Sequence, residues 1–396
     1  MRISDVRVTI LQAPIPEEAR VRSGVGLKYS RTSTFVEVIT DEGLVGLGSC
    51  LGNPPLALKA IVDEVIAPTL RGLDPFDIEG IWQRMYVGRI QRSVGSRGLG
   101  MAVLSGVDIA LWDIKGKALG APVYQLLGGA CRDKVRAYAS SIYWQAPDAA
   151  AAKARQFVDQ GFTALKVKVG ADIDRDVASL AAIREAVGDR VDIFVDANLC
   201  YTTKLAMEMV RHLERYRVFW FEEPIPFDDI EGHKRLTGAT AVRIATGENM
   251  YTRFGFLDLI TQRAADIVQP DISRAGGITE AKKIASMAGA YGLLFAPHSF
   301  GDAVSQMAAL HVIASTPEAF IMEVDVTYNP LRTELGGSLV EARNGFFELP
   351  NKPGLGIELT DDIREAYAYR GGLDLSLAAA PALGLACEDL QDRSAS

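Results

Sequence analysis

Eight short apolar segments alternate with helical stretches through the middle of this chain, and that rhythm constrains the fold more than any other feature. The segments are Val135–Ser140, Ala164–Val169, Val191–Asp196, Val218–Glu223, Arg243–Glu248, Asp266–Asp271, Leu293–His298 and Phe320–Val324. Stretches with helical periodicity separate them, among them Ala149–Gln160, Asp174–Ala186, Lys204–Tyr216 and Ile278–Ala290. Strict alternation predicts parallel strands joined by helical crossovers, and eight near-equal repeats favour a closed barrel over an open doubly wound sheet. No Gly-x-Gly-x-x-Gly follows the first strand, which argues against a dinucleotide site.

The flanks lack this rhythm. Strand-like runs at Val6–Leu11 and Thr34–Thr40 enclose a charged, glycine-containing segment, Pro14 to Ser33, and Asp41-Glu42-Gly43 signals a hairpin into Leu44–Leu47. Helical stretches follow, the clearest at Gly100–Leu119. The predicted organisation is an α+β capping domain over residues 1–130, a barrel over 131–331, and a segment over 332–396 that returns to the cap. From about residue 375 the expectation is an appended helix or a loose tail.

A chain of 396 residues is long enough for a barrel and a smaller domain. Its net charge of −8 argues against nucleic acid or an anionic membrane as partner, but not against a small anionic substrate met by a metal and a few cations. Cys50, Cys131, Cys200 and Cys387 are widely spaced and read as reduced thiols. No export signal is apparent, and no apolar run approaches the ~20 residues of a membrane span. A soluble, cytoplasmic protein is the expectation.

The strand ends carry the chemistry. Lys168, Asp196, Glu222, Glu248, Asp271, His298 and Glu323 follow one another at intervals of 28, 26, 26, 23, 27 and 25 residues, about one barrel unit each. They should form a ring at the barrel mouth, where active sites of this fold lie. Asp196, Glu222 and Glu248 come from consecutive strands, and three converging carboxylates repel one another unless a hard divalent cation joins them; Mg²⁺ suits such an oxygen site. Lys166 and Lys168 alternate by two and so face the same side of their strand. Crowding by each other and by a metal would lower a lysine pKa towards use as a base. His298, next to Asp271, reads as an oriented acid/base. His212, His233 and His311 fall in predicted helices and read as structural or exposed.

The motifs Lys166-Val167-Lys168, Asp196-Ala197-Asn198, Glu222-Glu223-Pro224, Gly247-Glu248-Asn249, Gln269-Pro270-Asp271, Pro297-His298-Ser299 and Glu323 resemble the enolase superfamily, and within it the mandelate racemase subgroup. So do the helix Ser105-Gly106-Val107-Asp108-Ile109-Ala110-Leu111-Trp112-Asp113 and Leu126-Leu127-Gly128-Gly129. The resemblance implies a (β/α)7β modified TIM barrel with a capping domain, assembled as a homo-oligomer. It implies Mg²⁺ on Asp196, Glu222 and Glu248, Lys168 as base on one substrate face with Lys166 beside the carboxylate, and His298 with Asp271 on the other face. Glu323, if protonated, would donate a hydrogen bond to a substrate carboxylate. Asn198, Tyr143 and the cap residues Arg20, Lys28 and Tyr29 are the substrate-binding candidates. One departure is Ser49 after Gly46-Leu47-Gly48, where many relatives carry glutamate, and it bears on specificity. The implied reaction is removal of the proton α to a carboxylate, and dehydration of an acid sugar to a 2-keto-3-deoxy acid is the leading expectation. Racemisation or lactone cycloisomerisation are the alternatives, and a non-catalytic metabolite-binding barrel is the remaining one.

Overall fold

The computed structural model describes residues 1–23 and 26–372, with the backbone of Leu375–Ser376. The expected tail therefore lies outside the described residues, apart from those two, which pair antiparallel with Leu27 and Lys28.

Eight parallel strands form the centre: Lys134–Ile142, Ala164–Lys168, Asp192–Asp196, Val218–Glu222, Arg243–Thr246, Ile267–Val268, Leu294–Phe295 and Met322–Asp325. Neighbours in sequence pair in space, and the eighth strand returns to pair with the first, Met322 opposite Ala137. A bridge between Phe295 and Ala319 joins the seventh strand to the approach of the eighth. Helices fill each of the seven crossovers, from Pro147–Asp159 to Ala303–Ala314.

Period-two alternation builds the interior. Tyr138, Ala164, Phe194, Trp220, Ala245, Ile267, Ala296 and Ile321, one from each strand path, pack into a buried apolar plug. Two residues further on, the same inward positions hold Ser140, Lys166, Asp196, Glu222, Gly247, Gln269, His298 and Glu323. The polar ring is thus the layer above a dry floor.

The sixth and seventh strands are shorter than the sequence predicts, so Asp271 and His298 sit beyond strand ends. Pro270 and Pro297, which have no N–H to give the ladder, explain the early stops.

In the N-terminal part, Ile3–Pro14, Ser30–Thr40 and Val45–Cys50 form an antiparallel sheet. Helix Leu99–Leu119 lies against it and is buried over most of its length. Its polar side chains tie three parts of the molecule together. Asp108 accepts a hydrogen bond from Thr279 N (3.0 Å), and Asp113 accepts from Leu47 N (2.9 Å) and Leu355 N (2.8 Å). The closing segment reaches the N-terminal sheet again, where Gln12 N donates to Tyr367 O at 2.7 Å and Arg364 pairs with Glu37 at 2.5 Å. His233 and His311 are buried in helices.

Sheet and helix touch backbone to backbone. A Cβ on Gly48 would lie 1.7 Å from Gly106 O, and one on Gly46 would lie 2.1 Å from Ala110 O. Carbonyl groups of a helix cannot retreat as a side chain tip can. Gly48→Ala is therefore expected to cost at least the ~1–3 kcal/mol of an overpacked core. Thermal unfolding checks this, and an unchanged midpoint would contradict the packing described.

Candidate active site

The ring surrounds one cavity of about 300 Å³ between the barrel mouth and the cap. Lys166, Lys168, Asn198, Glu248, Asp271, His298, Glu323, Tyr143 and Lys28 line it. Asp196 and Glu222 are fully buried and held by the lysines that line it. Arg20 and Tyr29 are not brought to the cavity. Gly26, Lys28 and Ser30 alternate on its side, so Tyr29 faces outward, 37% exposed, with the Arg20 guanidinium 5.1 Å over its ring.

Carboxylate oxygens of Asp196, Glu222 and Glu248 all lie within 4.8 Å of one another. At that distance each pair of charges repels by at least about 3 kcal/mol, even at an effective dielectric of about 20. The lysines partly answer this. Lys166 Nζ lies 2.7 Å from Glu222 and 2.6 Å from Glu323, and Lys168 Nζ lies 2.5 Å from Asp196. His298 Nδ1 is 2.6 Å from Asp271 Oδ2, and its Nε2 is 3.6 Å from Glu248.

These contacts set the protonation of the site. Burial alone would lower both lysines, but Glu222 and Glu323 hold Lys166, and Asp196 holds Lys168, well above the usual range. Burial likewise opposes charge on His298, yet Glu248, Glu323 and Asp271 raise it to about 10. Glu222 is pushed up to about 7 by burial and by Asp196, Glu323 and Glu248, against the pull of Lys166. Burial would raise Glu323, but Lys166 and His298 hold it well below the carboxylate range. The sequence expects lysine crowding and a metal to lower Lys168, and a hydrogen bond from Glu323 only if it is protonated; without a cation on the triad Lys168 is held charged and Glu323 ionised. Direct ion pairing is the reason for the difference.

The donor set fits a hard divalent cation. Asp196, Glu222, Glu248, Asp271 and Glu323 supply five carboxyl groups against the three cations of Lys166, Lys168 and His298, an excess that a divalent cation would answer. An oxygen-only triad within 4.8 Å is the arrangement such an ion takes.

Several supporting residues were not anticipated from the sequence. Trp220 Nε1 and Gln269 Nε2 both donate to Glu222 Oε2, at 3.1 and 3.0 Å. Ser140 Oγ (2.7 Å) and Ser299 N (2.9 Å) donate to Glu323. Glu223, whose carboxyl burial and Glu248 push well up, accepts from Asn249 Nδ2, whose Oδ1 accepts from Arg274. Alternation by two from Glu222 back to Trp220 was the legible signal for one of these. From the cap, Arg31 pairs with Asp325 at 3.1 Å, and Ser49 Oγ donates to Asp302 at 2.7 Å. Ser49 thus meets a carboxyl group offered by the barrel.

Comparison with known proteins agrees with this architecture. A family model described as the mandelate racemase / muconate lactonizing enzyme N-terminal domain matches residues 6–128, and one described as enolase C-terminal domain-like matches residues 149–363. D-galactarolactone cycloisomerase of Agrobacterium fabrum is 36% identical over 91% of this chain and 97% of its own. Arabinonate dehydratase of Saccharolobus solfataricus is 39% identical over 84% of this chain and 89% of its own. Two crystal structures of a mandelate racemase-like protein from Bordetella bronchiseptica are 46% identical, with TM-scores of 0.92 and 0.89. They cover 95% and 94% of this chain, and 97% and 99% of their own; the second is complexed with 2-oxoglutarate/phosphate. The chain therefore belongs to the mandelate racemase / muconate lactonizing enzyme family of the enolase superfamily.

Proposed function

We propose that this protein is a Mg²⁺-dependent enzyme that removes the α-proton of an acid-sugar carboxylate and then expels the β-hydroxyl, giving a 2-keto-3-deoxy acid. One observation carries the reading: Lys168 meets the carboxylate triad at Asp196 and His298 meets it at Glu248, so two proton-transferring groups flank one cluster from the second and seventh strands. Relatives named arabinonate, D-galactonate and D-xylonate dehydratase support the reaction class.

When bound to the triad, Mg²⁺ supplies Lewis-acid stabilisation of charge on the substrate carboxylate. Lys166 adds a fixed positive charge beside that carboxylate. Lys168 takes the α-proton, for which it must arrive neutral, so its contact with Asp196 has to loosen in the working enzyme. His298 keeps a proton on Nε2, because Asp271 holds Nδ1, and delivers it to the departing hydroxyl. The cap, joined to the barrel through Arg31–Asp325, excludes water from the reacting atoms.

Cycloisomerisation is the second reading, favoured by the 36% identity to D-galactarolactone cycloisomerase. A panel of aldonates, aldarates and their lactones, supplied with Mg²⁺, separates the outcomes. Dehydration gives a keto acid that semicarbazide reveals by ultraviolet absorbance. Turnover of lactones alone would favour the second reading, and a change in optical rotation without keto acid would indicate racemisation.

A further inference from the structure

Lys168 ends the second strand, and the peptide after it, Val169-Gly170, carries the chain towards the helix Ile173–Val187. Lys168 borders the active-site cavity and also a second, small hollow of about 20 Å³ that Trp144 and Asp176 share. Hydrogen bonds grip the peptide between them. Val169 N donates to Asp196 O at 2.9 Å, and Trp144 Nε1 donates to Val169 O at 3.3 Å. Gly170 N meets two acceptors, Asp176 Oδ2 at 2.7 Å and Tyr201 Oη at 3.1 Å. The Tyr201 hydroxyl in turn donates to the same Asp176 oxygen at 2.7 Å. Gly170 has a φ of +97°, and a Cβ there would lie 2.7 Å from Cys200 Cβ, so the chain turns where no larger residue fits.

Asp176 stands in the first turn of that helix and is buried, as are Gly170 and Tyr201. Tyr201 belongs to the loop after Asp196 and Asn198, and its N–H donates to Pro224 O at 3.2 Å. One carboxylate oxygen thus joins the loop that follows the base Lys168 to the loop that follows Asp196. We propose that Asp176 is a positioning residue: by holding the Val169-Gly170 peptide against Tyr201, it fixes where the Lys168 side chain starts and so where its amine meets the α-carbon. This rests on the function proposed above, in which Lys168 takes the α-proton, and adds a group that lies outside the active-site cavity. Burial and Asp176 hold the Tyr201 hydroxyl well above the usual phenol range, so it stays a donor. A buried N–H deprived of its acceptor carries a desolvation penalty, and the turn would relax to find another. Lys168 would move with it, and a misplacement of about 1 Å costs on the order of 10²-fold in rate.

The test compares wild type, Asp176→Ala, Asp176→Asn and Tyr201→Phe, each supplied with Mg²⁺ and the panel of aldonates and aldarates. Loss of the α-proton signal in D₂O registers abstraction by Lys168. At saturating substrate, Asp176→Ala should slow it by roughly 10–100-fold per folded molecule, with KM and Mg²⁺ affinity changed by less than about threefold. Asp176→Asn keeps an oxygen for Gly170 N and Tyr201 and should recover most of the rate. Tyr201→Phe removes one arm of the contact and should fall between the two. A purely structural role gives a different result, a lower unfolding midpoint with abstraction per folded molecule unchanged. That result in Asp176→Ala overturns the inference, and so does a rate in Asp176→Asn as low as in the alanine variant. If Asp176→Ala does not fold, the wild-type rate in folded Tyr201→Phe overturns it. These outcomes leave acid-sugar chemistry intact. Retention of every α-proton by the wild-type protein refutes the function proposed above, and the inference with it.

Discussion

Chelation of divalent ions is expected to abolish turnover, and Mg²⁺ to restore it. The same addition should raise the unfolding midpoint, because an ion that binds the folded state alone stabilises it by mass action. Glu222→Gln is the sharper version. It keeps the side-chain volume, removes the negative charge of one of three carboxylates that meet within 4.8 Å, and replaces by an NH2 donor one of the two oxygens that Lys166, Trp220 and Gln269 contact. Partners one layer out from a metal typically change affinity by roughly 10–100-fold, so a lost ligand should weaken Mg²⁺ binding by on the order of a hundredfold or more. Calorimetric titration measures this without a substrate. Unchanged affinity would remove Glu222 from the site, and activity in the presence of chelator would remove the metal.

The second large effect is expected at the two flanking groups. Lys168→Ala and His298→Asn should each reduce full turnover by roughly 10²–10⁴-fold, the usual weight of a general acid or base. Their behaviour in D₂O should differ. If Lys168 takes the α-proton, Lys168→Ala loses exchange at that carbon. His298→Asn retains exchange while losing expulsion of the hydroxyl, since Asn at this place has no acidic proton to give. Circular dichroism and Mg²⁺ titration would establish that both variants keep fold and metal site. Loss of exchange in neither variant, or identical losses in both, would contradict the division of roles.

Much of this arrangement is legible in the sequence because barrel geometry converts spacing into position. Lys166 and Lys168 announce their common face by alternation, and Asp196 and Glu222 fall one repeat apart at strand ends. What the sequence hides depends on contacts across long separations. Arg31 and Asp325 meet only once the cap is seated, and Ser49 finds Asp302 from a different part of the chain. Tyr29 fails to reach the cavity because it follows Lys28 in extended chain and turns to the opposite side, and Arg20 lies over its outward-facing ring. Protonation is equally invisible before the partners are known. Two adjacent lysines alone suggest mutual lowering, whereas the carboxylates they meet raise them. Strand lengths at Asp271 and His298 were overextended because the apolar pattern runs on past prolines that end the ladder.

The central claim is that the protein abstracts a proton α to the carboxylate of an acid sugar with Mg²⁺ bound. The most direct measurement is proton magnetic resonance of the acid-sugar panel and its lactones, incubated in D₂O with the wild-type protein and Mg²⁺. The account predicts that at least one acid loses its α-proton signal and gives a 2-keto-3-deoxy acid carrying deuterium at C3, and that chelator suppresses both changes. Retention of every α-proton across the panel, with Mg²⁺ bound to the folded protein, would contradict it.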